Sequence, residues 1–436
     1  MPPRTGETSS ERCLLQALIA APTGLTRADL QERTGLSPAT LVTHLRKPEA
    51  AGATAGRLLS LVDIVEDESR VDRYRLRSDA AFLLGIDLGR DQVRVGIGDA
   101  LGNVLKHPTD KRRWEKIDET VQVDQDPWHA LDRAAEMAAE ITREVEQLNI
   151  ADRDRFAGIG VSVTAAIEPD SGMFRPGRTA DAWEGLRVVT ELKQRLERRG
   201  LGCPLVLDKD SNHCATAYSR SQRGQNIRDF VFVKWSQGLS AGLVLGGRLQ
   251  RGVRGSAGAF GHSPIVRVLD KDDETENPPS YLWGPDPDVR CARCRKQDCL
   301  EAIVGTNRLR RVVAEKNGLN GKDKSTWPLL ADVQKSALED HTSNENLILR
   351  AAAKRLGNTL GTVTNLLNPQ QIIIGGLFGR EHSDLLNDRI RQGLRDVSTA
   401  PAYRDVDVQF TDIGIIDGTI ASVITSGTLA SFLLSS

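Results

Sequence analysis

The sequence predicts an α/β protein in which a small helical N-terminal domain precedes a larger, internally duplicated one. Three observations carry this. Residues 1–80 hold three short amphipathic helical patterns followed by two strand-like runs. At Leu83 the texture changes to apolar strand-turn-strand, residues 82–89 running into residues 92–97 with Asp87 near the end of the first strand. A second unit of the same kind occupies residues 230–245, turned by Gly238 and followed by Gly242. Two such units predict a duplicated fold built as two lobes.

Composition narrows the class without choosing a partner. A length of 436 residues allows about three domains. Lys and Arg number 58 against 59 Asp and Glu, and 39% of residues are hydrophobic with only 4% aromatic, as in ordinary globular proteins. No apolar run reaches the length of a membrane span, and the start Met-Pro-Pro-Arg-Thr-Gly-Glu lacks the apolar core of a signal peptide. Three clustered cysteines plus lone Cys13, Cys203 and Cys214 suit a reducing compartment better than a disulfide framework. The expectation is a cytoplasmic protein with no membrane partner.

In the N-terminal domain, Leu14, Leu15, Leu18 and Ile19 fall on one face of a first helix. Thr26-Arg-Ala-Asp29 is a capping-box pattern that starts a second helix, ended by Gly35. Ser37-Pro38 supplies an N-cap and a first-turn proline for a third, with Leu41 and Leu45 inward. Two helices joined across Thr34-Gly35-Leu36 make a helix-turn-helix. The third helix takes the recognition position, with Ala39, Thr40, Thr43, His44, Arg46 and Lys47 outward to meet base edges and phosphates. Thr26 and Ser37 complete the expected DNA-facing set on this side. Residues 58–65 and 71–77 read as a hairpin, in which alternation puts Arg73, Arg75 and Arg77 on one face and Tyr74 and Leu76 on the other. Helix-turn-helix followed by a hairpin is a winged helix, and double-stranded DNA is the expected partner. Residues 1–80 nevertheless carry no net basic charge, so phosphate attraction rests on local arginines.

Cys291-Ala-Arg-Cys294-Arg-Lys-Gln-Asp-Cys299, preceded by Gly261-His262, offers four soft or borderline ligands. Four is the number a closed tetrahedral zinc site needs. His262, Cys291, Cys294 and Cys299 are therefore expected to hold a structural zinc ion.

The order of motifs resembles the ROK family of repressors, open reading frames and sugar kinases. The landmarks are Gly85-Ile-Asp87-Leu-Gly89, Gly158-Ile-Gly160-Val161, Asp208-Lys209-Asp210-Ser-Asn212 and Gly255-Ser-Ala-Gly258-Ala259-Phe-Gly261-His262. The cysteine block, Asn368-Pro369 and Ile374-Gly375-Gly376 complete the series. The resemblance implies an actin-like sugar-kinase fold, the ribonuclease-H-like unit repeated, over residues 81–436, with the winged helix of ROK repressors in residues 1–80. It also implies a homodimer or homotetramer.

Asp210 matches the family's catalytic aspartate, but several neighbouring parts differ. The family's Asp-x-Gly-Gly-Thr phosphate loop is replaced by Asp87-Leu-Gly89-Arg90-Asp91, its Asn before the aspartate by Lys209, and its sugar-binding Glu by Ala259. Catalysis needs all these parts placed together, so Asp210 is expected to be vestigial. The resemblance makes Asp210, His262 and Glu301 a ligand-binding set for a sugar, and Lys209, gained beside them where the family has Asn, joins the set and favours a phosphorylated or acidic sugar. The cysteine spacing lacks the family's glycines, with Arg293, Arg295 and Lys296 in their place. The expected function is a ROK-type transcriptional regulator of carbohydrate metabolism, a repressor that senses a sugar or sugar phosphate in a catalytically silent kinase-like domain. The alternative is an active ATP-dependent sugar kinase with an appended regulatory domain.

Overall fold

Both expected apolar hairpins form, and each lies at the heart of its own five-stranded sheet. A computed structural model describes residues 9–45, 58–66, 71–168, 171–175, 181–221, 226–264, 290–291 and 293–435. Arg46 and Lys47 lie outside the described residues.

The chain opens with α1 (Ser9–Ala20), α2 (Arg27–Thr34) and α3 (Pro38–Leu45), then the antiparallel pair β1 (Val62–Glu66) and β2 (Asp72–Leu76). The caps act as the sequence predicts. Thr26 and Asp29 form a reciprocal capping box, and Gly35 closes α2 at φ 68°, donating its N–H to Gln31 O. One strand is shorter than expected, because residues 59–61 form a 3-10 turn before β1 begins.

β3 (Phe82–Leu88), β4 (Val93–Asp99) and β5 (Glu115–Asp118) precede α4 (Pro127–Gln147) and β6 (Phe156–Val163). After the short pair β7 (Ala166–Ile167) and β8 (Phe174–Arg175) come α5 (Val188–Glu197), β9 (Leu205–Lys209) and α6 (Asp210–Arg220). The second half runs through β10 (Phe230–Trp235), β11 (Leu239–Leu245), β12 (Arg248–Gln250), α7 (Leu300–Val304), α8 (Thr306–Lys316) and α9 (Leu330–Glu339). It ends with α10 (Asn344–Leu367), β13 (Gln371–Gly376), α11 (Ser383–Val397), α12 (Ala400–Arg404), β14 (Asp407–Phe410), α13 (Ile415–Thr425) and α14 (Thr428–Ser435).

The sheets run β5-β4-β3-β6-β9 and β12-β11-β10-β13-β14. In each, the first long strand pairs antiparallel with the second and parallel with a strand reached by a helical crossover. That shared order is the duplication in hydrogen bonds.

The chain divides into two compact units. One gathers residues 1–164, 187–208 and 416–436, and the other residues 165–186 and 209–415. In the first, α1 packs on the C-terminal helix α14, so the N-terminal helices share a unit with the first sheet. Helix α13 lies so close to that sheet that a Cβ at Gly160 would overlap the Thr419 carbonyl, which is why no side chain fits there. In the second, an apolar core joins β10 and β13 to α7, α8, α10 and α11 through Val231, Ile372, Leu300, Val312, Leu356 and Leu386. No single described helix is long and apolar enough to cross a membrane. The pair α13 and α14 reaches that composition only across a 58° bend.

Candidate functional site

The second unit builds a cysteine-histidine cluster from two stretches of chain. His262 ends a 3-10 turn, residues 260–262, after a glycine loop laid directly against β11. Gly258 has φ +78°, and a Cβ there would overlap the Ala241 carbonyl. Pro264 pairs with Cys299, and Leu300 donates its N–H to Ser263 O at 3.0 Å, which brings the histidine turn to the start of α7. The other two cysteines sit on a tight turn closed by Cys291 N–H to Lys296 O (2.8 Å) and Arg295 N–H to Cys291 O (3.0 Å). Arg295 takes φ 61°, the left-handed conformation glycine adopts without strain.

The ligand atoms of His262, Cys291, Cys294 and Cys299 all lie within 4.8 Å of one another, and His262 Nδ1 is 3.6 Å from Cys291 Sγ. Metal–sulfur and metal–nitrogen bonds of about 2.3 and 2.0 Å give tetrahedral edges of roughly 3.5–3.8 Å. The four residues fit a metal ion. Their crowding also separates the thiols. A hydrogen bond from Cys299, working against burial, pushes the Cys291 thiol well down, whereas burial pushes Cys294 up and the bond to Cys291 together with burial pushes Cys299 up. Three sulfurs so close cannot all carry charge without a cation between them.

Glu301 supports this cluster from behind. Its Oε2 accepts the Leu239 N–H at 2.9 Å and its Oε1 lies 3.6 Å from Cys291 Sγ, with the side chain buried. The cluster therefore ties α7 to β11 through a carboxylate. His262 turns Nδ1 to the sulfurs, which leaves Nε2 on the far side of the ring.

Asp210 opens α6 at the end of β9 and is buried. Its Oδ2 accepts the Lys234 ammonium at 2.8 Å, while its Oδ1 accepts the Ser211 N–H at 2.6 Å and the Ser240 hydroxyl at 3.3 Å. Burial works against ionisation, but Lys234, and Lys209 behind it, hold the carboxyl below the usual range. Lys234 was missed in the sequence, although a lone lysine inside the apolar run of β10 was the available signal. Lys209 is brought beside Asp210 but donates to the carbonyls of Ala241 and Ala257, joining β11 to the glycine loop. Its charge is thus committed to main-chain oxygens as well as to the site.

In the first unit, Arg90 is mostly buried, its Nε 3.8 Å from Asp124 Oδ2, and Asp91 is exposed.

In the N-terminal segment α3 turns Ala39 and Thr43 outward and leaves Thr40 partly exposed. Val42, which the sequence reading passed over, is also exposed at 43%. His44 is a correction. It is buried rather than outward, with Nε2 3.2 Å from Ser10 Oγ and Nδ1 3.7 Å from Glu11 Oε1 on α1. A polar ring completes the i, i+3, i+4 inward stripe of Leu41, His44 and Leu45 because α1 supplies both of its partners. Thr26 and Ser37 act as caps: Thr26 Oγ1 accepts the Asp29 N–H and Ser37 Oγ accepts the Thr40 N–H. Arg73 and Arg75 do share a face of β2, but each meets a carboxylate, Asp29 at 4.0 Å and Asp63 at 3.5 Å.

Repeated sheets of this order, with an aspartate opening the helix that follows β9, define a protein of the sugar-kinase-like class. The model of the ROK family matches residues 83–412, and the chain belongs to that family. A xylose repressor from Caldicellulosiruptor bescii is 21% identical over 365 residues, 80% of each chain. A glucokinase from Streptomyces coelicolor is 23% identical over 344 residues, 76% of this chain and 93% of the glucokinase. A ROK family transcriptional regulator, a homologue of the E. coli MLC protein, superposes with a TM-score of 0.69 at 18% identity, covering 98% of this chain and 100% of that one. The chain thus has the family's actin-like sugar-kinase fold, which its relatives put to use both as repressors and as kinases.

Proposed function

We infer that this chain is a DNA-binding transcriptional regulator of carbohydrate metabolism, a repressor whose kinase-like domain senses a sugar or sugar phosphate without phosphorylating it. The observation that carries this reading is the segment α1–α3 plus the β1–β2 hairpin, which stands wholly ahead of the family match at residue 83. Three helices followed by a hairpin are the parts of a winged helix-turn-helix, here residues 1–80, with α3 as the recognition helix in a major groove. Residues 81–436 form the sensor. Two copies in a homodimer, or four in a homotetramer, match a pseudo-palindromic operator.

The ligand set proposed is His262, through Nε2, with Asp210, Glu301 and Lys209. Two ammonium groups beside one carboxylate favour an anionic sugar. Cys291, Cys294, Cys299 and His262 Nδ1 would hold a structural zinc ion, whose part is to fix the loop that carries the histidine.

The kinase reading has relatives in its favour, but Asp210 already receives the Lys234 ammonium, and a general base must instead reach the substrate hydroxyl. Coupled ATP-turnover assays on the full chain, run beside calorimetry with glucose, xylose, N-acetylglucosamine and their phosphates, separate the two. Binding without turnover is expected; sugar-dependent ATP consumption at about 1 s⁻¹ or faster overturns the non-enzyme reading.

A further inference from the structure

Over its described residues, Pro38–Leu45, the outer face of α3 is poor in groups that read hydrogen-bonding edges. Pro38–Leu45 contains no arginine, lysine, asparagine or glutamine, the side chains that pair bidentately with guanine or adenine in the major groove. Its hydroxyls are turned back on the helix. Ser37 Oγ accepts the Thr40 N–H at 3.2 Å and lies 2.9 Å from Thr40 Oγ1, and Thr43 Oγ1 donates to Ala39 O at 3.0 Å.

What remains outward is carbon. Ala39, Val42 and Thr43 are exposed, while Leu41, His44 and Leu45 face the other way into the domain. Residues three and four apart share a helix face, so one methyl side chain, one isopropyl group and the threonine methyl form a single small apolar patch. At a rise of 1.5 Å per residue the patch runs about 6 Å, close to two base-pair steps of about 3.4 Å. The one apolar group that base pairs display in the major groove is the thymine 5-methyl.

We propose that α3 reads thymine methyl groups, with Val42 as the central contact and Ala39 and Thr43 flanking it, so that each half-site holds two adjacent A·T pairs under this helix. This rests on the DNA-binding reading above and names what that helix recognises. Val42 is the specificity-determining residue. The hydroxyls serve to cap and hold the helix and are not the readers.

The test uses the full chain and duplexes it enriches from a random-sequence pool, resynthesised with deoxyuridine in place of thymidine. Each contacted methyl should contribute about fourfold in affinity, hence roughly fifteenfold for two. In Val42→Ala the thymidine-to-deoxyuridine ratio should fall toward one, as a cycle between a protein group and a base group requires when they touch. Equal affinity of the wild type for both duplexes overturns the inference while leaving DNA binding intact. An undiminished ratio in Val42→Ala overturns the role of Val42. Failure to enrich any duplex overturns the DNA-binding reading, and this inference with it.

Discussion

Asp210 and Lys234 form a buried ion pair in which one partner lies in a family motif and the other in none. Removing one partner of a buried pair costs about 3–5 kcal/mol, because the other charge stays buried. Lys234→Met should therefore lower the urea midpoint strongly, and Asp210→Asn added to it should restore part of the loss; two independent, additive losses would contradict the pairing. The folded pKa of Asp210 is depressed, so its contribution is complete above the unfolded value of about 3.9 and disappears as pH falls through the folded one. His382 gives a second pH effect of the same direction at higher pH. Its ring is buried against Phe378, with Nδ1 3.8 Å from Glu381 Oε1. Burial, opposed by Glu381, the Gly379 backbone and Asp412, lowers its pKa. The folded state thus prefers the neutral ring, and stability should decline as pH falls below about 6.5. Unfolding midpoints between pH 7.5 and 5.5 should drop more steeply for the wild type than for His382→Leu; parallel profiles would contradict this. At this scale the sequence revealed Asp210 by its place in a family motif. Lys234 was hidden because its meaning depends on β10 packing against α6, the helix that Asp210 opens.

Elements with local instructions were the most legible. The caps of α2 and α3 are written in Thr26, Asp29, Gly35 and Ser37, and each does what its chemistry predicts. His44 escaped because its inward position needs Ser10 and Glu11, which lie more than thirty residues earlier, as partners. The cysteine turn was legible from spacing, since the cluster gathers all four predicted ligands. Its left-handed Arg295 was not, because glycine is the residue that usually marks such a position. If the turn is held by a zinc ion, elemental analysis should find one per chain, and chelation should lower the thermal midpoint. Cys294→Ser should lose the metal and shift the midpoint downward in the same way; a full-length chain with no metal and an unchanged midpoint would contradict the site. Arg295→Gly should retain the metal and stabilise the turn by about 1 kcal/mol, as left-handed strain at a non-glycine residue is relieved.

For the whole molecule, the duplication was visible as two apolar hairpins, and the sheets repeat it strand for strand. The return of residues 416–436 to the first unit was not visible, because no local pattern records where a C-terminal helix will dock. Its trace was there in retrospect: Gly85, Gly96, Gly98, Gly158 and Gly160 all clear space for α13 and the segment after it. That return also puts α14 against α1, the helix that holds His44 and, through it, α3. A regulator of this kind should read DNA beside carbohydrate genes and let go when its sugar binds. The most direct measurement is capture of sheared genomic DNA from the source organism by the purified full chain, followed by sequencing. The expected result is a few discrete, pseudo-palindromic sites beside genes for sugar uptake or use, released when the cognate sugar or sugar phosphate is added. Recovery of fragments with no sequence enriched over the input would contradict it.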